Sequence, residues 1–233
     1  MIRSVSTILV VLAFSAIIWG YEECEGQPVA VCIDVEVAAN ESCVACVSVD
    51  DGSFDSDSDE WWLSQIPPCD YPLGETYVTL TVTDSDELWD TCEARIMVYD
   101  ESPPSVVDLG LALWPPNHQM IPLHLTDCAE FSDNCSAVDV NSAIITSISS
   151  DEADDADGNG DGNTEGDIEI GVDGSFQVRA ERAGDGNGRV YRVFFDVEDA
   201  SGNVTEGSCT VSVPHDQGGE DAVEDGSQSV VGA

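Results

Sequence analysis

Residues 29–37 read Val29-Ala30-Val31-Cys32-Ile33-Asp34-Val35-Glu36-Val37, and the parity of that stretch sets the fold class. Aliphatic residues hold every odd position, while Cys32, Asp34 and Glu36 fall on the other face. A period of two is that of a strand with one side buried and one side wet. The same parity recurs at Val78, Leu80 and Val82; at Cys92, Ala94, Ile96 and Val98; and at Ile168, Ile170 and Val172. It returns at Tyr191, Val193, Phe195 and Val197, and at Cys209, Val211 and Val213. Turn formers punctuate these runs, among them Pro67-Pro68, Pro72, Gly74, Asp185-Gly186-Asn187-Gly188 and Ser201-Gly202-Asn203,. No amphipathic helix follows the first twenty residues. Short strands between such turns predict an all-β chain of sandwiches.

Residues 1–20 have the pattern of a secretory signal: Arg3, an apolar run from Val5 to Ile18, and a small residue, Gly20, for cleavage,. The run is short for a span of roughly 20 apolar residues, and no lipid-attachment box precedes Cys24. The mature chain is expected to be soluble and extracellular or at the cell surface. All nine cysteines lie within it, and in an oxidising compartment disulfides are their default fate. Loss of Arg3 leaves five arginines and no lysine against 47 acids. Such a surface repels nucleic acid and anionic lipid and attracts cations. Dispersed acids that aid solubility explain much of this charge; two clusters raise calcium as a second explanation.

Val82-Thr83-Asp84, eight residues before Cys92, is echoed by Val197-Glu198-Asp199, ten residues before Cys209. Each cysteine then opens an alternating final strand, and the two extra residues of the second copy are read as a turn insertion at Gly202-Asn203. The pattern puts a boundary at Glu101-Ser102-Pro103-Pro104, because paired prolines disfavour helix interiors and central strands. Module one then spans 24–102 and module two 103–215. From Asp216 to Ala233 the chain is polar and glycine-rich and reads as a disordered tail,.

Module one carries Ala45-Cys46-Val47-Ser48-Val49-Asp50-Asp51-Gly52-Ser53, then Tyr71-Pro72-Leu73-Gly74-Glu75-Thr76, the strand Val78 to Asp84, and Cys92. These residues resemble the hyalin repeat and related bacterial extracellular immunoglobulin-like modules, with Glu75 separating the glycine from the threonine. Module two, through Leu113-Trp114-Pro115-Pro116-Asn117-His118, Arg179-Ala180-Glu181-Arg182 and Asp199-Ala200-Ser201-Gly202-Asn203, is similar to a module found beside hyalin repeats in secreted bacterial proteins. The resemblance implies two tandem immunoglobulin-like sandwiches with an adhesive or matrix role and no catalytic residues.

The sharpest chemical pattern is Asp155-Ala156-Asp157-Gly158-Asn159-Gly160-Asp161. Alternate oxygen ligands with glycine at the sixth place match the first half of an EF-hand loop. Gly166 stands where the bidentate Glu belongs, and strands flank the loop, so a true EF-hand is excluded. A calcium loop between strands and a hydrated hairpin tip both remain. Eight acids without a base between Asp151 and Asp167 favour the cation. Asp55, Asp57 and Asp59 form a second alternating set, where Glu60 replaces the glycine and hydration is the stronger reading. Trp61 and Trp62 follow directly; packing in the core is their commoner fate, and an exposed platform would suit sugar binding.

Parity turns Cys43 and Cys92 inward, which suggests a Cys43–Cys92 bridge across the core and, by analogy, Cys135–Cys209 in module two. Cys43-Val44-Ala45-Cys46 has C-x-x-C spacing, yet lacks a second ligand pair or a redox fold around it, so its cysteines are expected to bridge to separate partners. His118 and His124 read as structural. No Gly-x-Ser-x-Gly elbow exists, and no two carboxylates stand out as acid and nucleophile. The arginines at 179, 182, 189 and 192 are expected to form modest cross-strand pairs. The expectation is a secreted, disulfide-braced, calcium-binding, non-enzymatic protein of adhesion or matrix structure, with an extracellular protein or polysaccharide as partner. A carbohydrate-binding or accessory module of a secreted enzyme system is the alternative.

Overall fold

The structure is a computed structural model that describes residues 26–56, 60–154, 164–172, 174–218, 221–226 and 228–232. The signal-like segment and Cys24 lie outside the described residues. Within them the chain is all-β, and its only helical elements are the 3-10 turns Leu125–Asp127 and Val140–Ser142. It forms two tandem immunoglobulin-like β-sandwich modules, each with its own core.

Module one has strands β1 (Val35–Ala38), β2 (Val44–Ala45), β3 (Trp61–Ile66), β4 (Tyr71–Pro72), β5 (Gly74–Asp84) and β6 (Trp89–Tyr99). One sheet runs β1-β6-β5-β3, with β1 parallel to β6. Alternation along β5 and β6 buries Val78, Leu80, Val82, Ala94, Ile96 and Val98. Ala45, Val49 and Tyr71 meet them from the facing layer, where β2 pairs with β4. Around Val47–Val49 that layer has no regular strand; the Gln65 side chain supplies the missing bonds. Its amide accepts from Val49 N at 2.9 Å and donates to Val47 O at 2.8 Å.

The alternation read at 29–37 holds only in part. Val35 and Val37 pack on the core, but Val29 and Ile33 are exposed and Cys32 turns inward. The Asp34 carboxylate accepts Arg95 N at 2.8 Å in place of a backbone ladder bond, and the regular strand starts after it. The parity shifts at that point.

Module two has β7 (Ser105–Asp108), β8 (Leu111–Ala112), β9 (Met120–His124), β10 (Ala129–Ser132), β11 (Ile144–Ser150) and β12 (Ile168–Ile170). It continues with β13 (Ser175–Arg179), β14 (Gly188–Glu198), β15 (Val204–Pro214) and β16 (Ser229–Gly232). The sheet β16-β11-β14-β15-β8 faces β12-β13-β9 and the β10-β7 ribbon. Tyr191, Val193, Phe195, Val197, Cys209, Val211 and Val213 point inward as their parity requires, against Leu123, Phe176 and Val178. Gly207 lies opposite Phe195, where a Cβ would come within 2.7 Å of the ring. Val172 is exposed, because β12 ends two residues earlier.

The tail read as disordered returns to the sheet. Its strand β16 pairs antiparallel with β11, and the Arg192 guanidinium holds Glu224 at 2.6 Å. Polar composition hid a structural need: without β16, the backbone groups on that side of β11 would form an open sheet edge.

Among the described residues the disulfides are Cys32–Cys92, Cys43–Cys135, Cys46–Cys69 and Cys128–Cys209. Cys43, Cys92, Cys135 and Cys209 are all bonded, but neither Cys43–Cys92 nor Cys135–Cys209 forms. Cys43 sits at φ 63°, so the strand parity of Ala45 and Val49 does not reach back to it. It faces Cys135 of module two, with Cα atoms 5.1 Å apart. Cys128 and Cys209, both fully buried, close the second core instead. Cys43 and Cys46 do bridge to separate partners.

The Cys128–Cys209 bridge spans 81 residues, and loop-closure entropy assigns such a cross-link about 4 kcal/mol. The double variant C128A/C209A is expected to lower the unfolding free energy of module two by that order in urea titrations. A loss below about 1 kcal/mol would show that the core holds without the bridge.

Candidate functional site

Asp154 and Thr164 are the described residues on either side of the acidic segment. The residues at its two roots are described, while Asp155, Asp157, Asn159 and Asp161 lie outside the described residues. Asp154 accepts Gly166 N and Asp167 N at 3.0 and 2.9 Å, tying the roots together. These backbone donors hold its carboxyl below the usual carboxylate range. Arg179 donates to Glu165 O and Gly166 O, and Arg189 donates to Ala153 O at 3.0 Å.

Beneath the roots is a buried charge network. Arg189 is fully buried and bonds Glu152, Asp167 and the Tyr191 hydroxyl. Arg179 Nε reaches the other Asp167 oxygen at 2.9 Å. Glu181, also fully buried, accepts the Thr164 hydroxyl at 2.6 Å, and His118 Nδ1 lies 3.1 Å from the same oxygen. Its second oxygen has ion-pair contacts at 3.7 and 3.9 Å with Arg189 and Arg179 but no hydrogen bond. Burial pushes the Glu181 carboxyl up to about 7, assisted by Asp167. Asp151, buried beside β14, rises to about 6 for the same first reason. Arg179 and Arg189 thus form an internal network rather than the modest cross-strand pairs expected of them, whereas Arg192 pairs with Glu224 near the surface and Arg182 donates to His215 O.

A second concentration of polar groups lies where the modules meet. Asp100, Asp133 and Asp199 each offer a carboxylate oxygen within 4.8 Å of the others. Asp199 closes the β14–β15 turn, accepting Ser201 N and Asn203 N at 2.8 and 2.9 Å. Asp84 does the same at the β5–β6 turn with Asp86 N and Leu88 N. Both turns have the same length. The two extra residues of the second copy therefore lie within β15, where one additional pleat keeps Cys209 facing inward. Burial works against ionising Asp199, but the Asn203 donors outweigh it and lower the carboxyl. Asn203 also donates to Asp100 O and Ser102 O, and Thr205 Oγ1 to Pro104 O, so the turn grips the linker between modules. Cys43–Cys135 fastens the joint covalently beside Asp133.

The structure therefore brings together a carboxylate set that sequence reading missed. Asp199 had a signal, as the repeated Asp; Asp100 and Asp133 come from distant segments with none. Of the second acidic cluster, Asp57 and Asp59 lie outside the described residues, and Asp55 is half-buried beside Phe54. Trp61 and Trp62 are both exposed, at 39% and 52%. His118 joins the network, whereas His124 sits on the exposed end of β9.

No protein-family model matches the chain, and no curated protein matches it. Among solved structures, protocadherin gamma C5 EC1-3 overlaps it at TM-score 0.34 and 15% identity, covering 82% of this chain and 68% of that one. The extracellular cadherin domains 1-4 of protocadherin gamma B7 overlap at 0.36 and 12%, covering 82% and 50%. An I-band fragment from titin overlaps at 0.25 and 11%, covering 80% and 64%. Overlaps this loose carry no function to the chain.

Unfolded carboxyls titrate near pH 4, so the raised values of Glu181 and Asp151 make their protonated forms a property of the fold. The stability they contribute is complete below about pH 4 and is lost as pH rises through about 6 and 7,. With chelator present, the unfolding free energy of module two is expected to fall by on the order of 2 kcal/mol from pH 5 to pH 8. The neutral isostere E181Q should flatten that slope and exceed wild type at pH 8. A slope unchanged in E181Q would mean that another group titrates.

Proposed function

We propose that the chain acts outside the cell as a structural or adhesive element, a stiff two-module spacer that binds partners without transforming them. The observation that carries this reading is the Cys43–Cys135 bond between modules, reinforced by the Asn203 and Thr205 bonds to the linker. A tandem whose joint is cross-linked transmits force and fixes the angle between its binding faces. Four disulfides among the described residues fit folding in an oxidising compartment,. No helix among them is long and apolar enough to cross a membrane. The likeness of module one to the hyalin repeat belongs to this proposal: Pro72 ends β4, Gly74 opens β5, and Asp84 closes it.

Calcium is part of the same reading. The donor chemistry suits it, since Asp100, Asp133 and Asp199 are hard oxygen ligands from three segments,. The acids of 155–161 are carried on a root that Asp154, Arg179 and Arg189 fasten. A cation at either place would offset repulsion among carboxylates and favour the folded state by mass action.

Two measurements test the proposal. With calcium at a hundred times its dissociation constant, the gain is about 2.7 kcal/mol, seen as a higher melting temperature that chelator reverses. D133N/D199N, which keeps the turn acceptors, should lose the junction's share of that gain. A melt indifferent to calcium removes the metal. For the joint, C43A/C135A is expected to broaden the distance distribution in solution scattering while each module still melts cooperatively. An unchanged distribution would show that the bond does not set the stiffness.

A further inference from the structure

The outer face of the module one sheet has a second use. Because Val78, Leu80 and Val82 point into the core, Thr79, Thr81 and Thr83 point out. Register places Trp62 of β3 opposite Thr83, and Thr83 opposite Trp89 of β6. Directly opposed residues share a face, so Trp62, Thr83 and Trp89 form one row across three strands. Both tryptophans are open to solvent, at 52% and 61%. The next row is Ser64, Thr81 and Thr91, all hydroxyl-bearing. Only in the third row does an acid, Glu93, join Ile66 and Thr79. In a chain with 47 acids, two successive rows without a charge set this end of the sheet apart. Beyond Glu93, the charged groups Glu36, Glu75 and Arg95 lie together toward β1 and pair there.

We propose that this face binds an extended, neutral, β-linked polysaccharide, with Trp62 and Trp89 as stacking platforms and the Ser and Thr hydroxyls as hydrogen-bonding partners. Three features select that ligand. The tryptophans stand two strand spacings apart, about 9–10 Å, roughly the length of a disaccharide unit, which suits an extended sugar chain. Each hydroxyl both donates and accepts, as sugar hydroxyls do. The two uncharged rows measure only about 10 by 7 Å, far below the roughly 800 Å² per partner of a specific protein interface. It is also uncharged, so an anionic polymer would meet the repulsion of the surrounding acids and a neutral one would not.

The inference rests on the extracellular, non-enzymatic reading above and names its ligand class. The test is depletion of the full chain from solution by microcrystalline cellulose and by chitin, in high salt with chelator. The wild type should sediment with at least one of them. W62A and W89A should each weaken binding by about tenfold or more without lowering the melting temperature, and W89Y should retain part of it. Wild-type protein that stays in solution with both polysaccharides overturns the proposal, as do variants that bind undiminished. A dimer that W62A or W89A converts to monomer would assign the face to self-association instead. The two polysaccharide outcomes leave the C43A/C135A scattering comparison and the calcium melts unchanged, so the spacer reading stands or falls separately.

Discussion

A chain of 47 acids and six bases folds against its own repulsion,, and that constraint organises the molecule. Each described arginine is engaged. Arg95 faces Asp34, Glu36 and Glu75; Arg179 and Arg189 serve Glu152, Asp167 and Glu181; Arg192 holds Glu224; Arg182 grips His215 O. Where cations run out, other devices replace them. Asp84, Asp154 and Asp199 are stabilised by backbone N–H groups, while Glu181 and Asp151 shed charge through burial. Covalent bridges supply cohesion that charge cannot.

Strand existence was legible because it depends on local parity. Val78 to Val82, Tyr191 to Val197 and Cys209 to Val213 bury the side that alternation assigns them. Parity failed where a side chain replaced a ladder bond, at Asp34, and where the backbone left the strand region, at Cys43. Neither event leaves a mark in the hydrophobic pattern. The tail failed for a related reason. Ser229–Gly232 has little to recommend it alone, and its order comes from the open side of β11.

The junction was the least legible part, because its members are brought together by topology. Asp100 ends one sheet, Asp133 follows β10, and Asp199 follows β14. A reading by runs favours the dense acids at 155–161, yet the carboxylates that the described structure gathers are single residues in separate turns. Cysteine pairing shows the same limit: Cys43 and Cys135 are 92 residues apart and belong to different modules.

The buried network explains why so acidic a segment is compatible with a folded module. Removing one partner from a buried ion set costs about 3–5 kcal/mol, so Arg189, Asp167 and Glu152 act as a unit rather than as replaceable pairs. The same guanidinium that neutralises Asp167 also bonds Ala153 O, and Arg179 bonds Glu165 O. Core electrostatics and the loop root therefore share atoms.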